Sequence, residues 1–252
     1  MSKQIDRTRL ASLRKVEEER FLANHKKSSE AFADSQKVMH EGVPMSWMAK
    51  WPGAHPVFVK EAKGAKFTDI DGNTYIDFCL GDTGSMTGHS PDATIAAIKR
   101  QADIGITSML PTLDAAIVSK ELAARFSLPK WQFTVTATDA NRHVIRYCRL
   151  ITGRSKIIVI DRCYHGSVDE TFATLDDAGN TVKREGNLGA PVDLAVTTRV
   201  VEFNNLAGME AALVHGDVAA ILMEPAMTNV GIVLPEDGYL VAVQDLAKKY
   251  GA

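Results

Sequence analysis

Four short stretches carry residue types suited to binding and chemistry. The first is Thr136-Ala137-Thr138-Asp139, a small polar turn between a β-rich run, Trp131–Val135, and a helical pattern from Asp139 to Ile151. The first turn of a helix presents backbone N–H groups with no intrahelical acceptor, and the helix dipole favours negative charge there. Small residues let a phosphate approach the backbone, and two threonine hydroxyls add donors. The same four residues also suit an ordinary N-cap. The second stretch is Asp161-Arg162-Cys163-Tyr164-His165-Gly166, directly after an apolar run. Tyr164 could lie flat on a planar ligand, and Gly166 permits close backbone approach. The alternatives are a core tyrosine and a histidine bonded to backbone. The third is the end of the run Arg199–Phe203, and the fourth is Glu224-Pro225 with Ala226 to Asn229. Glu224-Pro225 also reads as a simple strand stop.

These stretches need a scaffold that brings them to one place. From Trp131 onward, strands alternate with helices. Strands are expected at 132–136, 156–160, 199–203 and 218–223, and helices at 139–151, from Asn204 to Val214 and from Gly238 to Tyr250. Lys156-Ile157-Ile158-Val159-Ile160 is continuously apolar, as in a buried parallel strand. Gly153 and Gly251 suit helix C-caps. Alternation of this kind predicts an α/β, doubly wound, mainly parallel sheet flanked by helices. Ligands of such sheets bind beyond the carboxyl ends of the strands, and all four stretches fall on that edge.

The preceding residues divide differently. Residues 1–40 read as a charged N-terminal helical arm with Leu10, Leu13, Phe21 and Leu22 as its apolar side. Residues 41–90 read as a small β-meander and a site loop. Pro44, Pro52, Gly53 and Pro56 reorient the chain; strands follow at 57–60, 65–70 and 74–78, with Asp71-Gly72-Asn73 as the hairpin turn. Leu80–Pro91 is a Gly/Ser/Thr-rich loop. Residues 91–252 read as the front half of a larger α/β domain, beginning with helices from Pro91 to about Ala102 and from Asp114 to Phe126. Asp176–Pro191 is polar and glycine-rich and reads as a long loop. A helix capped by Gly251 is expected to lead into another buried strand, so the chain reads as part of a longer protein. In that case apolar surface of strands 156–160 and 218–223 is expected to stay partly unburied.

Composition removes several classes. With 252 residues, 45% apolar, 24% charged and a net charge of −2, the chain has no field or basic patch for nucleic acid. No apolar run suits a bilayer, no apolar N-terminal segment suits secretion, and Glu17-Glu18-Glu19 argue against a transit peptide. Cys79, Cys148 and Cys163 lack metal-ligand spacing and read as reduced thiols of a cytoplasmic protein; no metal is expected. No Gly-x-Gly-x-x-Gly or P-loop pattern follows the strands, which weighs against a nucleotide-binding α/β protein.

Several segments together resemble one family. They are Asp69–Asp77, Gly88-His89-Ser90-Pro91, Thr136–Asn141, Thr152–Ile158, Cys163–Gly166, Glu224-Pro225 and Val230 to Ala252. In this order the chain is similar to the N-terminal part of class III, pyridoxal-phosphate-dependent aminotransferases of fold type I. The likeness is greatest to the glutamate-1-semialdehyde aminomutase branch and related β-amino-acid transaminases. The resemblance implies pyridoxal 5'-phosphate as cofactor and amino-group transfer between a small amino acid or amine and a keto or aldehyde acceptor. It implies a homodimer. It places Thr136, Ala137 and Thr138 at the phosphate, Tyr164 on the pyridine ring with His165 beside it, and Glu224 and Asn229 near the cofactor. It brings Ser108–Thr112 toward the site across the dimer interface. Ala137 stands where the family has glycine, Asp139 where it has glutamate, and Ala115 where the aminomutase pattern has an acid. The family's aspartate at the pyridine nitrogen and its Schiff-base lysine are expected past Ala252, because Lys156, Lys248 and Lys249 lack the matching context. The chain alone is therefore expected to be inactive. The alternative is a non-catalytic fragment that acts only within a larger assembly.

Overall fold

A computed structural model describes residues 5–189 and 192–252. The chain forms two compact units, residues 1–111 and 112–252.

In the first unit, α1 (Arg7–Asn24) and α2 (Lys26–Ser35) meet at His25. Asp6 caps α1 by accepting from the N–H groups of Thr8 and Arg9, both at 3.0 Å. No residue of α1 is buried, and Leu10 and Leu13 are exposed, as a surface helix requires. The meander consists of β1 (Val59–Lys63), β2 (Lys66–Asp69) and β3 (Thr74–Ile76), antiparallel in that order. β1 starts two residues later than expected. The β2–β3 turn closes where Asp69 accepts from Asn73 N–H at 2.8 Å and Gly72 takes φ +97°. Asp71 reaches out of this turn to accept from Lys27 N–H, Ser28 N–H and the Ser28 hydroxyl, capping α2 from outside its own helix. The Gly/Ser/Thr-rich loop is held at its base by Asp77. Its carboxylate accepts from the N–H groups of Cys79 and Leu80 and bonds His89 at 2.7 Å. Helix α3 (Asp92–Ile104) follows.

The second unit holds α4 (Leu113–Phe126), α5 (Ala137–Thr152), β4 (Lys156–Ile160), β5 (Ala173–Leu175), β6 (Thr181–Lys183), α6 (Leu194–Thr197), β7 (Thr198–Val201), α7 (Leu206–Leu213), β8 (Val218–Leu222) and α8 (Tyr239–Tyr250). A parallel sheet runs in the order β7-β4-β8. β4 is central, so Ile157, Ile158, Val159 and Ile160 are fully buried and pack with Ile145, Met209, Leu213 and Val243. Arg154 closes the sheet end: its Nη1 donates to the carbonyls of Val218, Tyr250 and Gly251.

Three expectations need correction. Residues 131–135 do not form a strand: they pair with no strand among the described residues, and Val135 is 96% exposed. Extended backbone becomes a strand only when it pairs with a sheet edge, and 131–135 pairs with neither outer strand of the β7-β4-β8 sheet. The 176–191 loop is partly ordered, because β6 folds back on β5 as a hairpin closed by Asp176, whose carboxylate accepts from Ala178 and Asn180 N–H. Residues 190 and 191 lie outside the described residues. Finally, strand 156–160 leaves no apolar surface open, whereas Ile221, Leu222 and Met223 at the end of strand 218–223 stay partly unburied, as expected. Exposed apolar side chains sit also on α5, at Val144, Tyr147, Leu150 and Ile151.

Candidate functional site

Helix α5 begins at Ala137 with Thr136 as its N-cap. The Thr136 hydroxyl accepts from Asp139 N–H at 3.1 Å and donates to the Asp139 carboxylate at 2.9 Å. This reciprocal pair commits the Thr136 hydroxyl in both roles. Thr138 differs. Its oxygen accepts from Ser167 N–H at 3.0 Å, and its own proton remains to be donated. The N–H groups of Ala137 and Thr138 open the helix and have no carbonyl one turn back. Of the two threonines, Thr138 therefore offers the free hydroxyl donor beside the helix terminus.

The loop after β4 is drawn onto this terminus by three bonds. Besides Ser167 N–H to Thr138, the Asn141 amide donates to the His165 carbonyl at 2.9 Å and Arg142 donates to the Ser167 carbonyl at 3.1 Å. Gly166 makes the approach possible. It has φ +76°, and a Cβ there would lie 2.3 Å from Thr138 Oγ1 and 3.2 Å from Thr138 Cα. Only glycine combines that backbone with that distance. Tyr164 remains 52% exposed, with its ring not absorbed into the core. His165 is buried, and its Nε2 has no hydrogen-bond partner. Burial favours the neutral ring and pushes the His165 imidazole below its usual value, outweighing the Glu224 carboxylate, which acts the other way.

Glu224, past the end of β8, brings in the fourth stretch. One carboxylate oxygen accepts from Tyr164 N–H at 3.3 Å; the other accepts from the Thr228 N–H and hydroxyl at 3.2 and 2.9 Å. Glu224 thus ties the loop after β8 to the loop after β4. Asn229 lies in the following turn, Thr228–Val230, and is exposed. The third stretch goes elsewhere. Asn204, after β7, bonds the 234–236 segment through Leu234 O and Glu236 N–H. A cavity of about 810 Å³ also lies away from the cluster, along β7, bordered by Lys156, Asp161, Asp176, Thr181, Arg199 and Glu202. Cys163 is buried, and burial pushes its thiol up to about 11, which removes it as a nucleophile.

The structure thus gathers Thr136, Ala137, Thr138, Tyr164, His165 and Glu224 at the carboxyl edge of β4 and β8. It adds Asn141, Arg142, Ser167 and Thr228, which act through the neighbouring loops. Asn141 ends the Thr136–Asn141 segment of the family resemblance, and Arg142 had no sequence signal beyond its place one helical turn after Thr138. Hydroxyl and N–H donors at a helix terminus, a half-exposed aromatic ring and an orphaned imidazole nitrogen match an aromatic phosphate ester. The arrangement fits pyridoxal phosphate.

The model of the aminotransferase class-III family matches residues 47–252. The chain is 34% identical over 233 residues to the glutamate-1-semialdehyde 2,1-aminomutase of Sulfurihydrogenibium sp. (strain YO3AOP1), covering 91% of this chain and 54% of that one. The crystal structure of a glutamate-1-semialdehyde-aminomutase from Pseudomonas aeruginosa PAO1 aligns with TM-score 0.94 and 49% identity, covering 98% of this chain and 55% of that one. A variant of the aminomutase from that organism, solved in complex with PMP, aligns equally well. The chain spans about half the length of the curated relatives it matches. The fold is that of the pyridoxal-phosphate-dependent transferases of type I. The chain belongs to the class-III aminotransferases, a pyridoxal-phosphate-dependent family.

Proposed function

We propose that this chain provides the phosphate-anchoring and ring-stacking part of a pyridoxal-phosphate site in an enzyme of amino-group transfer. Similarity to glutamate-1-semialdehyde aminomutases favours that branch, with an amino acid or amine as donor and a keto or aldehyde group as acceptor. The observation that carries the reading is the α5 terminus: two free N–H groups and the Thr138 hydroxyl, pressed against Gly166 beside an exposed Tyr164.

When bound, pyridoxal phosphate supplies an electron sink for the carbon bearing the amino group. The chain's own residues perform simpler tasks. Ala137 and Thr138 donate backbone N–H to phosphate oxygens, and the Thr138 hydroxyl adds a third donor. Thr136 shapes the turn through Asp139. Tyr164 offers its ring face, and the neutral His165 packs beneath the same loop. Glu224 positions Tyr164 through its backbone N–H, and Asn229 stands at the rim. Assembly as a cytoplasmic homodimer, with residues 84–88 and 109–112 near the subunit boundary and residues 1–40 as an arm, completes the proposal.

Titration of the protein with pyridoxal phosphate, followed by absorbance, tests it. Thr138→Val removes one hydrogen bond to a charged group, worth about 1.5–3 kcal/mol, or roughly ten- to hundred-fold in affinity. Tyr164→Ala is expected to loosen the cofactor, while Tyr164→Phe, which keeps the ring face, stays near the parent. Unchanged affinity in Thr138→Val contradicts the anchor. Equal damage from both Tyr164 variants points to the hydroxyl instead of the ring.

A further inference from the structure

One peptide group in the loop after β4 is held at both ends by side chains of opposite charge. It joins Cys163 to Tyr164. Its carbonyl accepts from Arg184 Nη2 at 2.5 Å, and its N–H donates to a Glu224 carboxylate oxygen at 3.3 Å. A peptide dipole has its positive end at the N–H and its negative end at the carbonyl. The carboxylate and the guanidinium each meet the end that attracts them, and both bonds are charge-assisted. Glu224 comes from past the end of β8, and Arg184 from directly after β6.

Arg184 is itself fixed. Its N–H donates to the Phe172 carbonyl at 2.7 Å, and its carbonyl accepts from Asn187 N–H at 3.1 Å. The β5–β6 hairpin that carries it is also fastened to the start of the same loop. There the Asp161 carboxylate accepts from the Thr174 hydroxyl at 2.6 Å and from Leu175 N–H at 3.1 Å. The hairpin thus grips the loop at Asp161 and again, through Arg184, at Cys163. Between the two grips Arg162 takes φ +60°, left-handed backbone that an L-residue adopts only at a cost. Released at Cys163, this stretch would relax and turn the residues after it.

Tyr164 is the residue that such a turn re-aims. Its ring is half-exposed and is not held by the core. The bonds from Thr138, Asn141 and Arg142 fix residues 165 and 167 and do not touch residue 164. The direction of the Tyr164 side chain therefore depends on the plane of the 163–164 peptide. Both charges also act on the neighbouring ring: burial, helped by the Arg184 charge, favours neutral His165 against the pull of Glu224.

We propose, on the reading of this edge as a pyridoxal-phosphate site, that Arg184 is a positioning residue: with Glu224 it clamps the Cys163–Tyr164 peptide and so aims the Tyr164 ring at the cofactor. The β5–β6 hairpin thereby supports cofactor binding from outside the site.

Two measurements on the full chain test this, one with the cofactor and one without. The first is pyridoxal-phosphate titration of Arg184→Met, Tyr164→Ala and the double variant. Methionine keeps an apolar stem and removes the donor. Arg184→Met alone is expected to weaken binding on the order of tenfold, and to add nothing once the Tyr164 ring is gone. Arg184→Lys, which retains a charged donor, is expected to recover part of the loss. The second measurement is hydrogen exchange of the chain without cofactor. In Arg184→Met the Tyr164 amide is expected to lose protection while the amides of β5 and β6 keep theirs. An effect of Arg184→Met on affinity that is equal with and without the Tyr164 ring, or absent from both, overturns the clamp. So does protection lost across the whole hairpin, which would make Arg184 a brace of β5 and β6 alone. A parent chain that does not take up pyridoxal phosphate refutes the reading of the site instead. The exchange result then decides the clamp by itself, and an unchanged Tyr164 amide in Arg184→Met overturns it.

Discussion

Gly166→Ala is expected to remove the cofactor site and to lower the stability of the second unit by about 2–5 kcal/mol. Two costs add. An L-residue held at φ +76° pays roughly 1–2 kcal/mol for left-handed backbone. The new methyl also lies 2.3 Å from Thr138 Oγ1 and 3.2 Å from the Thr138 backbone, and relief of such overpacking costs about 1–3 kcal/mol more. Relief must move either the loop or the first turn of α5. Either movement breaks the Ser167 N–H to Thr138 bond and shifts the proposed phosphate donors. Denaturant unfolding and pyridoxal-phosphate titration read the two effects. Pairing the change with Thr138→Ala separates them: the double variant is expected to regain part of the stability and none of the affinity. A Gly166→Ala protein with parental stability and affinity would show that the loop does not press on α5.

Ile158→Ala is expected to cost about 2–5 kcal/mol, because the side chain is fully buried at the centre of the sheet's middle strand. β4 carries the Tyr164 loop at its end, and β7 and β8 both pair with it. A cavity there loosens the platform without touching the site. The expected signature is a large loss in unfolding free energy with pyridoxal-phosphate affinity nearly unchanged at temperatures where the chain stays folded. A change below about 1 kcal/mol would mean the site collapses around the smaller side chain, against the close packing expected of such a strand.

The two substitutions also mark what the sequence makes legible. Ile158 is legible at once: five consecutive β-branched or apolar-stemmed residues in an alternating α/β pattern become a buried central strand, and Lys156–Ile160 is that strand. Helices α5 and α8 and the Asp71-Gly72-Asn73 turn follow from local rules of capping and hairpin chemistry in the same way. Residues 131–135 do not, because strand formation depends on a neighbouring edge that local propensity does not encode. The β5–β6 hairpin was hidden for the opposite reason: its strands are three residues each, too short for alternation to stand out from a polar loop.

At the site, the polar turn and the Tyr164 loop are visible as residue types. Their division of labour is not. Thr136 and Thr138 look equivalent in sequence, yet Asp139 occupies one hydroxyl fully and leaves the other free to donate. Glu224 reads as a cofactor contact or a strand stop, and its bonds make it a strut between two loops. Arg184 gave no signal at all, since the Cys163 carbonyl that it holds lies 21 residues away.

A crystal structure of the protein with pyridoxal phosphate tests the central claim most directly. The account predicts the phosphate at the N-terminus of α5, within hydrogen-bonding distance of the Ala137 and Thr138 N–H groups and the Thr138 hydroxyl, with the pyridine ring against Tyr164. Phosphate density instead in the cavity along β7, on Lys156 and Arg199, with the α5 terminus bare, would contradict it.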